Sequence, residues 1–107
     1  MLLLGSPMQN AFTLQTHNFQ LSDLNRADVL RKFEQVVSET EDFRKMRITL
    51  EGVYPTNTTV LYAARAVVEV GEDELYIETR SPSLFTSIRG LIQKLEKALA
   101  ERKQALA

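Results

Sequence analysis

The sequence predicts an α+β fold in which a four-stranded mixed sheet carries two helices on one face. Four segments alternate apolar and polar residues with a period of two, as strands with one buried face do. Two longer segments repeat apolar residues at helical spacing. Their order is β-α-β-β-β-α. The 107 residues fit one domain over residues 11–107, preceded by a flexible leader over residues 1–10.

The first strand and the first helix come from the N-terminal third of the chain. Ala11 to Thr16 alternates in strand fashion. Ser22 is a good helix N-cap, and Asp23 follows in the first turn, where acidic groups are favoured. The polar stretch 38–42 should end the helix. Its apolar stripe consists of Val29, Leu30, Phe33, Val36 and Val37.

Three further strands are predicted in the middle of the chain. They cover Met46 to Val53, Thr58 to Val70 and Glu74 to Arg80, with a tight acidic turn at Gly71–Asp73. The first helix should therefore connect two parallel strands, and the remaining strands should form an antiparallel meander.

The long third strand has a definite orientation. Its alternation predicts that Ala64, Ala66 and Val68 face the helices and that Arg65 lies on the open face. The small alanines would let a helix approach the sheet closely.

The last helix has the strongest periodicity in the chain. Ser81 or Ser83 can cap it, and Pro82 is tolerated only before or at the first turn. We expect Leu91 and Leu95 to be buried against the sheet. Its apolar stripe comprises Leu84, Ile88, Leu91, Ile92, Leu95 and Leu99.

Composition excludes several classes of protein. The chain has no cysteine, so a disulfide scaffold, a zinc ribbon and a thiol nucleophile are excluded. His17 is the only histidine and has no adjacent carboxylate cluster, which makes it a poor metal ligand. No apolar run approaches a membrane span. We therefore expect no catalytic residues, no metal, no cofactor, no small-molecule substrate and no membrane partner.

Basic residues cluster locally although the net charge is only −1, from 13 Lys and Arg against 14 Asp and Glu. Such clusters predict phosphate contacts with RNA. Cations favoured by a helix dipole, or placed for ordinary solubility, remain the alternative. The candidate contacts are Arg89, Lys94, Lys97, Arg102 and Lys103 on the last helix, and Arg31 and Lys32 on the first; Arg44, Lys45 and Arg47 form a second cluster.

The element order and one stretch resemble the ribosome hibernation promoting factor family, also called sigma-54 modulation proteins. Leu84 to Leu99 (LFTSIRGLIQKLEKAL) resembles the family's stretch of an acid, an aliphatic, an aromatic, two small residues and Ile-Asp before a basic helix. Leu21-Ser22-Asp23 and Lys32-Phe33 are also similar to family positions. Ser83 and Arg89 depart from the pattern, since the family has acids there.

The resemblance implies a fold like the double-stranded RNA-binding domain. It also implies a short-form, cytoplasmic hibernation factor of the stress response, which binds ribosomal RNA of the small ribosomal subunit near the mRNA and tRNA channel and inhibits translation. The extended domain of long members has no counterpart in these residues. The alternative is a diverged domain of the same fold that binds a protein and has lost RNA affinity.

Overall fold

A computed structural model describes residues 11–54 and 59–106, so the leader predicted over residues 1–10 lies outside the described residues. The predicted order of strands and helices is confirmed. No helix in these ranges is long and apolar enough to cross a membrane. The elements are β1 (Phe12–His17), α1 (Asp23–Val37), β2 (Phe43–Val53), β3 (Leu61–Val70), β4 (Asp73–Ser81) and α2 (Leu84–Leu106).

The four strands form one mixed sheet in the order β1-β2-β3-β4. β1 runs parallel to β2, with Phe12 opposite Met46, so α1 is the crossover between two parallel strands. The β2–β3 and β3–β4 pairs are antiparallel, as the predicted meander requires.

One face of the sheet is covered by the helices and the other is open. Ala64, Ala66 and Val68 are completely buried on the helix side, and Arg65 lies between them on the open face, which confirms the predicted register. This orientation decides which basic residues can act together, because side chains one position apart lie on opposite faces.

Helix α1 begins as its sequence predicts. The Ser22 hydroxyl oxygen accepts a hydrogen bond from the Asn25 backbone N–H at 3.1 Å, which satisfies one of the free amides of the first turn. Val29, Phe33 and Val37 are buried, while the other two residues of the predicted stripe are half-buried. The helix ends at Val37, directly before the polar stretch.

Helix α2 packs over β3 and β4. The Ser83 hydroxyl accepts from the Thr86 N–H at 3.4 Å, and Ser83 is therefore the cap. Leu91 and Leu95 are fully buried, as predicted. Buried Ser87 is satisfied on both sides: its hydroxyl donates to the Tyr62 carbonyl at 2.6 Å, and its own carbonyl accepts from the Thr79 hydroxyl at 2.7 Å.

Two strand starts differ from the predictions by three residues, whereas the ends of β1 and β4 differ by one residue. β2 begins at Phe43, three residues early, because the Phe43 ring packs on Phe12 with centroids 5.2 Å apart and its backbone pairs with Val70 across a bulge. β3 begins at Leu61, which is the partner of Val53 at the end of β2; Thr59 and Val60 lie outside the strand. Position 58 lies outside the described residues.

Candidate nucleic-acid interface

The predicted basic residues lie on two sides of the molecule. Lys45 and Arg47 flank buried Met46 on β2 and therefore lie on the open face of the sheet. The helices form the other side, and we call the outer surface of α1 and α2 the helical layer. Its exposed predicted cations are Arg31, Lys32, Arg89, Lys94, Lys97 and Lys103.

Two of these cations converge from different helices. Lys32 of α1 and Arg89 of α2 line the same groove between the helices, although they are far apart in sequence. Arg89 forms no ion pair or hydrogen bond within the described residues. A positively charged pair of side chains over one groove is suited to binding an anion.

Asp28 partly neutralises the α1 cations. Its carboxylate pairs with Arg31 at 3.2 Å and with Lys32 at 3.0 Å, across one helical turn. The side chains of Arg31 and Lys32 are still 62% and 50% exposed. Exposed pairs at this spacing contribute only about 0.2–0.5 kcal/mol, so a phosphate can compete for both cations.

The α2 cations point in different directions around the helix. At about 100° per residue, Lys97 lies about 80° from Arg89, and Lys94 about 140° from it. The Lys94 ammonium donates to the Glu78 carbonyl of β4 at 3.0 Å, which places it over the sheet edge. Lys103 lies beside acidic Glu39 and Glu41. Arg89 and Lys97 are therefore the α2 cations best placed for the outer surface.

Arg102 has a different environment from the other predicted contacts. Its guanidinium group pairs with Asp42 and Asp73, both at 2.9 Å, and donates to the Val70 carbonyl at 3.2 Å. Only 15% of the side chain is exposed, and the hydrogen bonds to the two carboxylates raise the pKa of the Arg102 guanidinium. An RNA contact by Arg102 would first have to break two ion pairs.

The open face carries charges of both signs. Arg65 pairs with Glu51 at 2.6 Å, which holds the pKa of the Glu51 carboxyl below its ordinary value. Hydrogen bonds from Tyr76 and Arg80 similarly lower the pKa of the Glu78 carboxyl.

The second basic cluster lies at one end of this mixed surface. Lys45 is opposite Glu69, which itself faces Glu74 on β4. Arg44 donates to the Gly71 carbonyl at 3.2 Å. Acidic groups therefore lie close to Lys45, and one of the three cations of the cluster is already bound to the backbone.

Sequence reasoning missed three of these features. The first is the pairing of Asp28 with Arg31 and Lys32, which their i, i+3 and i, i+4 spacing on a helix could have predicted. The Arg102 ion pairs had no such signal, since its partner Asp42 lies 60 residues away. The third is Phe85, which adjoins the predicted apolar stripe of α2 but is exposed in the groove between the helices.

Comparison with known proteins gives structural relatives only. No protein-family model matches the sequence, and no curated protein sequence matches it significantly. The structure superposes on a ribosomal subunit interface protein from Coxiella burnetii with a TM-score of 0.73 and 15% identity, over 87% of this chain and 97% of that one. The chain has the fold of that protein.

A second solved structure shares this fold. The N-terminal domain of Thermus thermophilus Protein Y superposes with a TM-score of 0.67 and 17% identity, over 80% of this chain and 90% of that one. Both likenesses confirm the predicted α+β architecture.

Proposed function

We propose that this protein associates with the ribosome, without enzymatic activity, by placing its helical layer on the RNA of the small subunit. The observation that carries the proposal is the convergence of Lys32 and Arg89 on one groove from two helices. The fold shared with a ribosomal subunit interface protein supports it. Bound near the mRNA and tRNA channel, the protein would inhibit translation by occupying the path of those RNAs, as a cytoplasmic hibernation factor of the stress response does.

The binding we propose is electrostatic and reads RNA shape more than sequence. Cations that neutralise phosphates release condensed counterions, and this release drives association. A net charge of −1 gives no attraction over the whole molecule, so the local surplus must orient the protein. The proposed contacts exclude Arg102, whose guanidinium Asp42 and Asp73 already hold; they are Arg31, Lys32, Arg89, Lys94, Lys97 and Lys103.

Co-sedimentation with ribosomes across a salt series tests the proposal. With six phosphate contacts, a plot of the logarithm of the binding constant against the logarithm of the salt concentration should have a slope of about −4 to −5. The double variant Arg89→Gln with Lys97→Gln should bind more weakly and reduce the slope by about 1.4–1.8. The matched control is Lys45→Gln with Arg47→Gln, which removes the same charge from the open face and should bind like the wild type.

Two outcomes would contradict the proposal. If the open-face variant loses affinity and the helical variant does not, the interface is on the opposite side of the sheet. If the wild-type protein stays in the supernatant at low salt, the alternative applies, in which a diverged domain binds a protein partner without RNA. The near-zero net charge and the Asp28 ion pairs are the observations that favour this alternative.

A further inference from the structure

We propose that the groove between α1 and α2 takes an unpaired nucleobase of RNA, with the neighbouring phosphates held at its rim by Lys32 and Arg89. This inference rests on the proposed function and specifies which part of the RNA the protein recognises. The groove has a volume of about 360 Å³. It is lined by Val29, Lys32, Phe85, Ile88, Arg89 and Ile92.

The floor of the groove is apolar and carries one exposed aromatic ring. Val29 and Ile88 are 2% and 3% exposed, so they close the floor but offer little surface. Phe85, in contrast, is 55% exposed although it lines the same groove. An exposed ring beside a buried apolar floor provides a flat π surface, on which a base of any sequence can stack.

The rim supplies charge of one sign. Lys32 lines one wall and Arg89 the other, and both side chains are exposed to solvent. Asp28 pairs with Lys32 at 3.0 Å, but that exposed contact is weak enough to yield to a phosphate. The occupant must therefore combine a flat apolar group with nearby negative charge, which is the chemistry of a nucleotide.

A nucleotide fits this surface better than an acidic peptide helix. A helix that docks in a groove uses several apolar anchors, at i, i+3, i+4 and i+7, and each needs its own apolar contact. Here Val29 and Ile88 are buried, and Ile92 is half-buried, which leaves Phe85 as the only strongly exposed apolar side chain of the groove. One exposed ring in a groove that two cations line is suited to one base and its neighbouring phosphates.

Fluorescence anisotropy with the full chain and two labelled RNA strands tests the inference. One strand is a short unstructured oligonucleotide, and the other has the same phosphates but abasic sugars. Phe85→Ala should lower affinity for the intact strand roughly 5- to 100-fold and leave the abasic strand unchanged. The matched control is Leu24→Ala, since Leu24 is 78% exposed on α1 and does not line the groove.

A fluorescent variant gives a second, independent readout. The chain contains no tryptophan, so Phe85→Trp places a unique indole in the groove. Trp fluorescence should be quenched by the intact strand and not by the abasic strand. Equal quenching by both strands, or by neither while anisotropy reports binding, would show that no base reaches the ring.

The remaining outcomes separate this inference from the proposed function. If ribosomes and both strands bind and Phe85→Ala changes nothing, the groove inference is overturned while the proposed function stands. If Phe85→Ala abolishes ribosome co-sedimentation but the intact and abasic strands bind equally, the groove takes a ribosomal protein segment instead. If neither ribosomes nor either strand binds the wild-type protein, both proposals fail together.

Discussion

Residues from three parts of the chain meet at the turn between β3 and β4. Gly71 has φ of +58°, and its N–H donates to the Asp42 carbonyl at 2.8 Å. Arg102 lies over the same turn and binds the Asp42 side chain. This arrangement ties the start of β2 and the end of α2 to the hairpin, so a change at Gly71 should affect all three.

Gly71→Ala should lower the free energy of unfolding by about 1–2 kcal/mol, because an L side chain at this φ is strained. The added Cβ would also lie 2.8 Å from Asp42 Oδ2 and 2.9 Å from Arg102 Nη2, so the ion pair must shift. Urea denaturation measures the loss. The control is Gly90→Ala, whose Cβ would meet Thr79 at an ordinary 3.5 Å inside a helix; it should stabilise by about 0.5–1 kcal/mol. Equal effects at both positions would contradict this account of the turn.

The packing of α2 depends strongly on individual leucines. Leu95 is fully buried, and Leu95→Ala should destabilise the protein by about 2–5 kcal/mol through lost burial and the cavity left behind. Thermal or urea denaturation provides the value. Leu106, on the same helix, is 67% exposed, and Leu106→Ala should cost less than about 0.5 kcal/mol. A cost below about 1 kcal/mol at Leu95 would show that α2 does not pack as described.

At the scale of the elements, an ion-pair network on the open face links three strands. Arg65 of β3 reaches Glu51 of β2 at 2.6 Å and Glu78 of β4 at 3.9 Å. Such cross-strand pairs of opposite charge stabilise the pairing of neighbouring strands. The network also makes the stability of the sheet depend on pH.

The folded-state pKa values of Glu51 and Glu78 are lowered below 4.5, mainly by hydrogen bonds to Arg65 at Glu51 and to Tyr76 and Arg80 at Glu78. The stabilisation is therefore fully present above the unfolded-state pKa and is lost as pH falls through the folded-state values. We expect the melting temperature to fall between about pH 4.5 and more acidic values. The Arg65→Gln variant should have a lower melting temperature at neutral pH, and its melting temperature should fall less steeply as the pH is lowered. If the plots of melting temperature against pH were parallel for the two proteins, the Arg65 network would not be the source of the pH dependence.

The elements themselves could be predicted because their signals are local. The helix caps, the apolar periods of 2 in strands and 3.6 in helices, and the turn at Gly71 each depend on a few neighbouring residues. The starts of β2 and β3 could not be predicted from local signals. Phe43 extends β2 by packing on Phe12, and β3 begins only where Val53 can pair with Leu61. Strand ends are set by partners that are distant in sequence.

The candidate site was predictable in its residue types and less so in its arrangement. Charge counting found Lys32 and Arg89, but only the fold shows that they share a groove. Charge counting also grouped Arg102 with the exposed cations of α2. It could not reveal the acidic partners Asp42 and Asp73, because only the tertiary structure brings them near Arg102. Helical spacing alone places Lys97 between Arg89 and Lys94, whereas the hydrogen bond from Lys94 to the Glu78 carbonyl, which only the fold shows, places Lys94 over the β4 edge.

For the molecule as a whole, the sheet separates two electrostatic surfaces. The helical layer carries exposed cations, whereas acidic groups at the β3–β4 hairpin, including Glu69 and Glu74, lie close to Lys45 on the open face. The net charge of the chain is only −1, so neither sign dominates over the whole molecule. Binding to a polyanion should therefore depend on which face is presented and on the few acids that lie within the basic layer.

Asp28 is the acid that most directly opposes RNA binding, because its carboxylate holds both Arg31 and Lys32. Asp28→Asn should free these cations and tighten ribosome binding roughly two- to five-fold at low salt, with the gain shrinking as salt screens the charges. Co-sedimentation over a salt series measures this. The matched control is Glu34→Gln, also on α1, which changes net charge equally but forms no ion pair within the described residues. If both variants bound ribosomes equally more tightly, only the net charge would matter. If Asp28→Asn alone bound more weakly, Asp28 would itself support the interface.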